Sequence, residues 1–189
     1  MSQEIEIEFK NLLSKHEYET LAQVFGVKDQ QGVVQTNHYF ETNDFKLKQN
    51  KSALRIREKN NLWQLTLKEP HMEGLLETHD TLSEIEAQSW LNGDILPKPE
   101  VAKQLNQLGI DFAKLTYGGS LTTTRKETTF KNTIVVLDVS QYNGQQDYEF
   151  ELEAKDREHG ELIFNEIMHA HGIKIRNTPN KIERFYNAL

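Results

Sequence analysis

Glu4-Ile5-Glu6-Ile7-Glu8-Phe9-Lys10 alternates charged and apolar side chains over its whole length. Successive side chains of a β-strand point to opposite faces. The stretch therefore reads as a strand with one acidic face, ending in a lysine, and one face of Ile5, Ile7 and Phe9. Glu149-Phe150-Glu151-Leu152-Glu153 repeats the pattern near the other end of the chain. Basic residues are sorted too. Arg55 and Arg57 share a face, Lys68 ends the next strand, Arg125 and Lys126 stand in a later one, and Lys181 and Arg184 lie near the C-terminus.

Two readings of these faces stand side by side. Antiparallel sheets commonly turn a polar face to water, and each charged face suits that role. Yet like charges side by side repel, so two triple-glutamate strands are destabilising unless something compensates. A divalent cation would do so, because hard cations take carboxylate oxygens. Arginine by its planar fork and lysine as a point charge suit phosphate oxygens. Carboxylates for a metal and a basic cluster for phosphate are the parts that phosphoryl chemistry needs.

Outward from these strands, period-two alternation dominates. Strands are expected at residues 33–42, 52–59, 62–68, 75–81, 120–130, 133–139 and 147–154, with Asn60-Asn61 as a tight hairpin turn and Asn143-Gly144 in a loop. Ser14 with Glu17 and Ser83 with Glu86 have the spacing of capping boxes. Tyr18, Leu21 and Phe25 give the first helix its stripe, to about Gly26. Pro99 suits the first turn of a helix that ends near Gly109. Residues 158–171 form a helix with Leu162, Ile163, Ile167 and Met168 on its apolar side, and Pro179 opens a short last helix through Tyr186. The fold expected is α+β and mostly β. About eight antiparallel strands, joined largely by hairpins and flanked by helices, close into a barrel.

Composition narrows the function classes. The 189 residues suit one domain, with 27% charged and 37% hydrophobic residues. A net charge of −7 argues against a protein that grips nucleic-acid backbone. Apolar runs such as residues 134–137 are far below the ~20 residues of a membrane span. The first residues lack the basic flank and apolar stretch of a signal peptide. Cysteine is absent, which excludes disulfides and thiolate metal sites, and the expected location is cytoplasmic.

Several blocks taken together carry a resemblance: Glu6-Ile7-Glu8-Phe9-Lys10 (E-x-E-x-K), Tyr39-Phe40-Glu41-Thr42, Ala53-Leu54-Arg55-Ile56-Arg57, Leu65-Thr66-Leu67-Lys68, then Arg125, Asp138, Glu149-Phe150-Glu151-Leu152-Glu153 and Lys181. In this order and spacing the chain resembles the CYTH superfamily, or triphosphate tunnel metalloenzymes, over nearly its whole length. The resemblance implies a single domain spanning residues 1–189, built as an eight-stranded tunnel with charged side chains inside. It implies that Glu6 and Glu8 bind Mg²⁺ or Mn²⁺ together with Glu149, Glu151, Glu153 and Asp138, and that Lys10, Arg55, Arg57, Lys68, Arg125 and Lys181 hold the triphosphate. Glu6, Glu8, Lys10 and Arg57 are the expected catalytic set. One departure is visible: the family usually has aspartate where Glu41 stands.

The expected partner is a small triphosphate, whether inorganic, thiamine or nucleoside, and the expected reaction is hydrolysis of its terminal phosphoanhydride. A class IV adenylyl cyclase, or a non-catalytic sensor of a phosphorylated metabolite or polyphosphate, would use the same charged parts. Other residues read more plainly. Trp63 shares its parity with Leu65 and Leu67 and is a core residue. Lys126 points away from Arg125, Glu4 extends the acidic face to a tunnel mouth or into solvent, and Glu77 and Glu127 either line the tunnel and orient basic side chains or form ion pairs with no catalytic role. The seven histidines show no ligand spacing; His169 and His171 are too close to share a helical face.

Overall fold

The computed structural model describes residues 2–189. Along the chain run β1 (Gln3–Leu13), α1 (Lys15–Val24), β2 (Val33–Thr42), α2 (Lys46–Gln49), β3 (Ala53–Lys59), β4 (Leu62–Pro70), β5 (Leu75–Leu82), α3 (Glu84–Leu91), α4 (Pro99–Gln107), β6 (Leu115–Phe130), β7 (Thr133–Tyr142), β8 (Gln145–Ala154), α5 (Arg157–Ala170) and α6 (Lys181–Asn187). The strands close into an antiparallel barrel in the order β1-β5-β4-β3-β2-β6-β7-β8.

Local chemistry fixes most of these boundaries. Asn60-Asn61, Lys131-Asn132 and Asn143-Gly144 are two-residue turns with both φ angles positive. Paired positive φ matches the twist of the flanking strands. Both capping boxes form as the sequence predicts, Ser14 with Glu17 and Ser83 with Glu86. Pro99 opens α4, whereas α6 begins at Lys181 with Asn180 as its N-cap, two residues later than Pro179 suggests. The start of β6 lies at Leu115, five residues before the expected one. Helix α2 has no amphipathic stripe to announce it. Its first amides are instead met by Glu41, whose carboxylate accepts from the backbone of Thr42, Leu47 and Lys48. That cap explains why an acid belongs at this position.

The chain divides into two compact units, one of residues up to Ile5 with Gln35–Leu121 and one of Glu6–Val34 with Thr122–Leu189. In the first, Phe40, Leu54, Ile56, Leu65 and Leu67 pack against Ala87 and Trp90 of α3 and Val101 and Leu105 of α4. Trp90 is fully buried with its ring edge-on to Phe40, and Trp63 joins this core as its parity predicts. In the second, Leu13, Val135, Leu137, Phe150 and Leu152 pack against Leu21 of α1 and Ile163, Phe164, Ile167 and Met168 of α5. Gly160 lets α5 come close: a Cβ there would stand 2.6 Å from the Phe9 ring. Each such apolar side chain contributes roughly 1.5–3 kcal/mol on burial. Because Phe150 and Leu152 face the helices, strand alternation turns Glu149, Glu151 and Glu153 to the opposite face.

Candidate active site

In the second unit, strand register assembles the charges. Arg125 lies across from Asp138, Asp138 from Glu149, Lys10 from Glu151 and Glu8 from Glu153. Arg125 grips Asp138 with Nε to Oδ1 at 2.9 Å and Nη2 to Oδ2 at 2.7 Å, and also donates to Glu151 at 2.6 Å. From α6, the Lys181 ammonium meets Asp138 at 2.9 Å, Glu149 at 2.8 Å and Glu151. One turn on, Arg184 donates to Glu149 at 2.6 Å and to Asp147 at 3.0 Å. Lys10 pairs with Glu8 at 3.0 Å and donates to the side-chain oxygen of Asn180. Asp138 and Glu149 are fully buried, which buried carboxylates tolerate only when paired.

The electrostatics of this cluster are unbalanced. Glu6, Glu8, Asp138, Asp147, Glu149, Glu151 and Glu153 outnumber Lys10, Arg125, Lys181 and Arg184. Burial pushes the Glu151 carboxyl up, but Lys181 and Arg125 outweigh it and hold the group well below the usual carboxylate range. For Glu153 the balance is reversed, because Arg125 at 3.8 Å is outweighed. Burial first, then the negative charge of Glu6, pushes it up to about 7. Burial likewise disfavours the Lys181 ammonium, and Asp138, Glu149 and Glu151 reverse the effect and keep it charged. Glu149 Oε1 is buried without a hydrogen-bond partner among the described residues. Surplus negative charge, hard oxygen donors and an unsatisfied carboxylate oxygen together fit a divalent cation.

The first unit carries a different face. Asn37 lies across from Arg57 and Tyr39 from Arg55; on the other side Arg55 faces Thr66. Arg57 Nε donates to Asn37 Oδ1 at 3.1 Å. Arg55 Nε is buried and has no hydrogen-bond partner among the described residues. Lys68 forms an ion pair with Glu77. His79 accepts or donates at Nδ1 with Thr66 Oγ1 at 2.9 Å, while its Nε2 lies 3.0 Å from Glu4 and 3.5 Å from Glu77. The ligand atoms of Glu4, Glu77 and His79 fall within 4.8 Å of one another, a candidate acidic and imidazole group for a metal.

The expected residues thus fall into two sets. Glu6, Glu8, Lys10, Arg125, Asp138, Glu149, Glu151, Glu153 and Lys181 belong to the second unit, and Arg55, Arg57 and Lys68 to the first. Lys126 turns away from Arg125 to the Lys28 carbonyl, as its parity requires. Glu127 is exposed. Asn37, His79 and Asn180 were not legible. Their partners lie 20, 75 and 170 positions away in the chain. The parity of Asn37 with Tyr39, opposite the Arg55-Arg57 pair, is the one signal that could have found it.

Comparison with known proteins bears on the family and the fold. The CYTH domain family matches residues 4–186. YjbK of Bacillus subtilis, provisionally named a triphosphatase, is 47% identical over 186 residues, covering 98% of this chain and 96% of that protein. A crystal structure from Bacillus halodurans, provisionally named an adenylate cyclase, superposes with a TM-score of 0.94 at 44% identity, covering 98% of this chain and 100% of that one. HpAC1 of Hippeastrum, provisionally named an adenylyl cyclase and described as having a dominant triphosphatase activity, shares the fold with a TM-score of 0.77. It is 22% identical over 97% of this chain and 96% of its own. No helix among the described residues is long and apolar enough to cross a membrane.

Proposed function

The chain belongs to the CYTH domain family, and we propose that it is a divalent-metal-dependent triphosphatase. Its reaction is hydrolysis of the terminal phosphoanhydride of a small triphosphate, with inorganic triphosphate the leading substrate. The observation that carries this reading is the buried Arg55 Nε, a guanidinium donor without an acceptor on a face shared with Arg57. A buried donor left unmet costs free energy, and an oxygen-rich anion would meet it. The relative named a triphosphatase, at 47% identity, supports the same chemistry. The family match covers both compact units, which supports reading residues 1–189 as one catalytic domain.

Glu6, Glu8 and Glu153, with Glu149 and Glu151, would hold Mg²⁺ or Mn²⁺. When bound, the cation supplies neutralisation of phosphate charge and activation of a water. Asp138, which accepts from Nε and Nη2 of Arg125, orients that arginine. Arg55, Arg57, Lys68, Arg125, Lys10 and Lys181 donate to phosphate oxygens and stabilise the charge that develops as the bond breaks. Lys181 and Arg125 are held ready by carboxylates, so binding exchanges one set of acceptor oxygens for another.

Cyclisation of ATP is the second reading, since a structure 44% identical bears an adenylate cyclase name. Product identification separates the two. The purified chain is incubated with inorganic triphosphate and, separately, with ATP, each with Mg²⁺ or Mn²⁺, and products are resolved by phosphorus NMR. The triphosphatase reading expects orthophosphate and pyrophosphate from inorganic triphosphate. Cyclic AMP and pyrophosphate from ATP, with inorganic triphosphate untouched, would establish the cyclase.

A further inference from the structure

Asn37 has a role that its partner alone does not explain. It stands on β2, 1% exposed, directly across from Arg57. Its Oδ1 accepts from Arg57 Nε. A guanidinium only donates, so this bond fixes which end of the amide is oxygen and leaves Nδ2 on the other side. That Nδ2 is buried and has no hydrogen-bond partner among the described residues. Two residues on along the same face, Tyr39 pairs in register with Arg55, whose own buried Nε is unmet. The β2–β3 ribbon therefore presents an amide N–H and a guanidinium N–H, both lacking acceptors, at neighbouring positions. Neither can face a cation. Both can be met by anionic oxygens, and a phosphate chain supplies several at the spacing of adjacent donors.

We propose that Asn37 is a substrate-binding residue whose Nδ2 donates to a polyphosphate oxygen alongside Arg55, an assignment that rests on the triphosphatase reading above. Arg57 keeps the amide turned the productive way. The competing role is purely one of positioning, in which Asn37 serves only to orient Arg57.

A double-mutant cycle separates the roles. Affinity for inorganic triphosphate is measured in EDTA by a competition titration that reads to millimolar, for the full chain, Asn37→Ala, Arg57→Ala and the double variant. Loss of one hydrogen bond to a charged group predicts weakening of about tenfold or more for Asn37→Ala. A smaller factor, still above the error of the titration, is expected when Arg57 is already alanine, because the amide is then free to turn. A loss that vanishes in the Arg57→Ala background, or an Asn37→Ala variant that binds like the parent, overturns the assignment. Asn37→Asp supplies a second arm. It keeps the shape and the acceptor for Arg57 but replaces the donor by a charged oxygen, so it should bind more weakly than Asn37→Ala. Parent-like affinity in Asn37→Asp overturns the assignment too. A parent chain that shows no affinity for inorganic triphosphate, with Arg55→Ala no different, defeats both the triphosphatase reading and this assignment. Parent binding that is lost in Arg55→Ala and kept in Asn37→Ala defeats this assignment alone.

Discussion

The charged face of the second unit and that of the first are built on opposite terms. In the second, the basic groups of the cluster are committed: Arg125 to Asp138 and Glu151, Lys181 to Asp138, Glu149 and Glu151, Arg184 to Glu149 and Asp147. What is left over there is negative charge. In the first, beside the Glu4-Glu77-His79 group, the Arg55–Arg57 face leaves two donors unmet, Arg55 Nε and Asn37 Nδ2. One face wants a cation and the other an anion, and a metal-dependent phosphohydrolase needs both. Charge sorting by strand, which could equally describe solvated faces, acquires chemical meaning only once the pairing within each face is known.

The contrast can be broken most forcefully at the carboxylates. Glu6→Gln or Glu8→Gln should lower turnover of inorganic triphosphate by about a hundredfold or more, since each removes a charged oxygen ligand. Thermal melts should show the fold retained. Full turnover in either variant at saturating Mg²⁺ would remove the metal assignment. Stability offers the next largest effect. Asp138→Ala removes the two-point acceptor of Arg125 and one of the three carboxylates around Lys181, and should cost about 3–5 kcal/mol in urea denaturation. Arg55→Leu, which removes an unmet buried donor, should fall within about 1 kcal/mol of the parent. Equal losses would mean that the two faces are not differently satisfied.

A smaller effect depends on pH. Glu153 titrates near 4.5 when unfolded and at about 7 in the fold. The folded state holds its proton more tightly, so stability is lost as pH rises from about 5 through 7, and below about 4.5 there is no contribution. Replacing the group by glutamine should therefore stabilise the chain in EDTA at pH 8, by about 1–3 kcal/mol, and change little at pH 4. Stabilisation of the same size at both pH values would show that packing, not charge, is at work.

Much of this was legible beforehand, for physical reasons that also mark where legibility ended. Period-two alternation located the strands, because each face of a sheet has one environment, and the E-x-E-x-K block made the parity of β1 chemically specific. Helix caps read well because Ser14 and Glu17 lie three positions apart and interact locally. The start of β6 is misplaced because Gly118-Gly119 reads as a turn signal, which sets Leu115 to Tyr117 apart from the alternation that follows. Helix α2 was invisible because it is held by Glu41 from the preceding strand rather than by its own stripe. Within the site, residue types marked the charged groups, but pairing could not be read. That Asp138 serves Arg125 and that Asn37 turns its amide outward from Arg57 are consequences of register between distant segments.

The most direct test of the account uses two variants and two ligands. Glu6→Gln and Arg55→Ala are each titrated calorimetrically with Mn²⁺ alone and with inorganic triphosphate in EDTA. The account predicts a crossed result: Glu6→Gln loses Mn²⁺ affinity and keeps triphosphate affinity, whereas Arg55→Ala keeps Mn²⁺ affinity and binds triphosphate at least about tenfold more weakly. Parallel losses in both variants, or no loss in either, would contradict it.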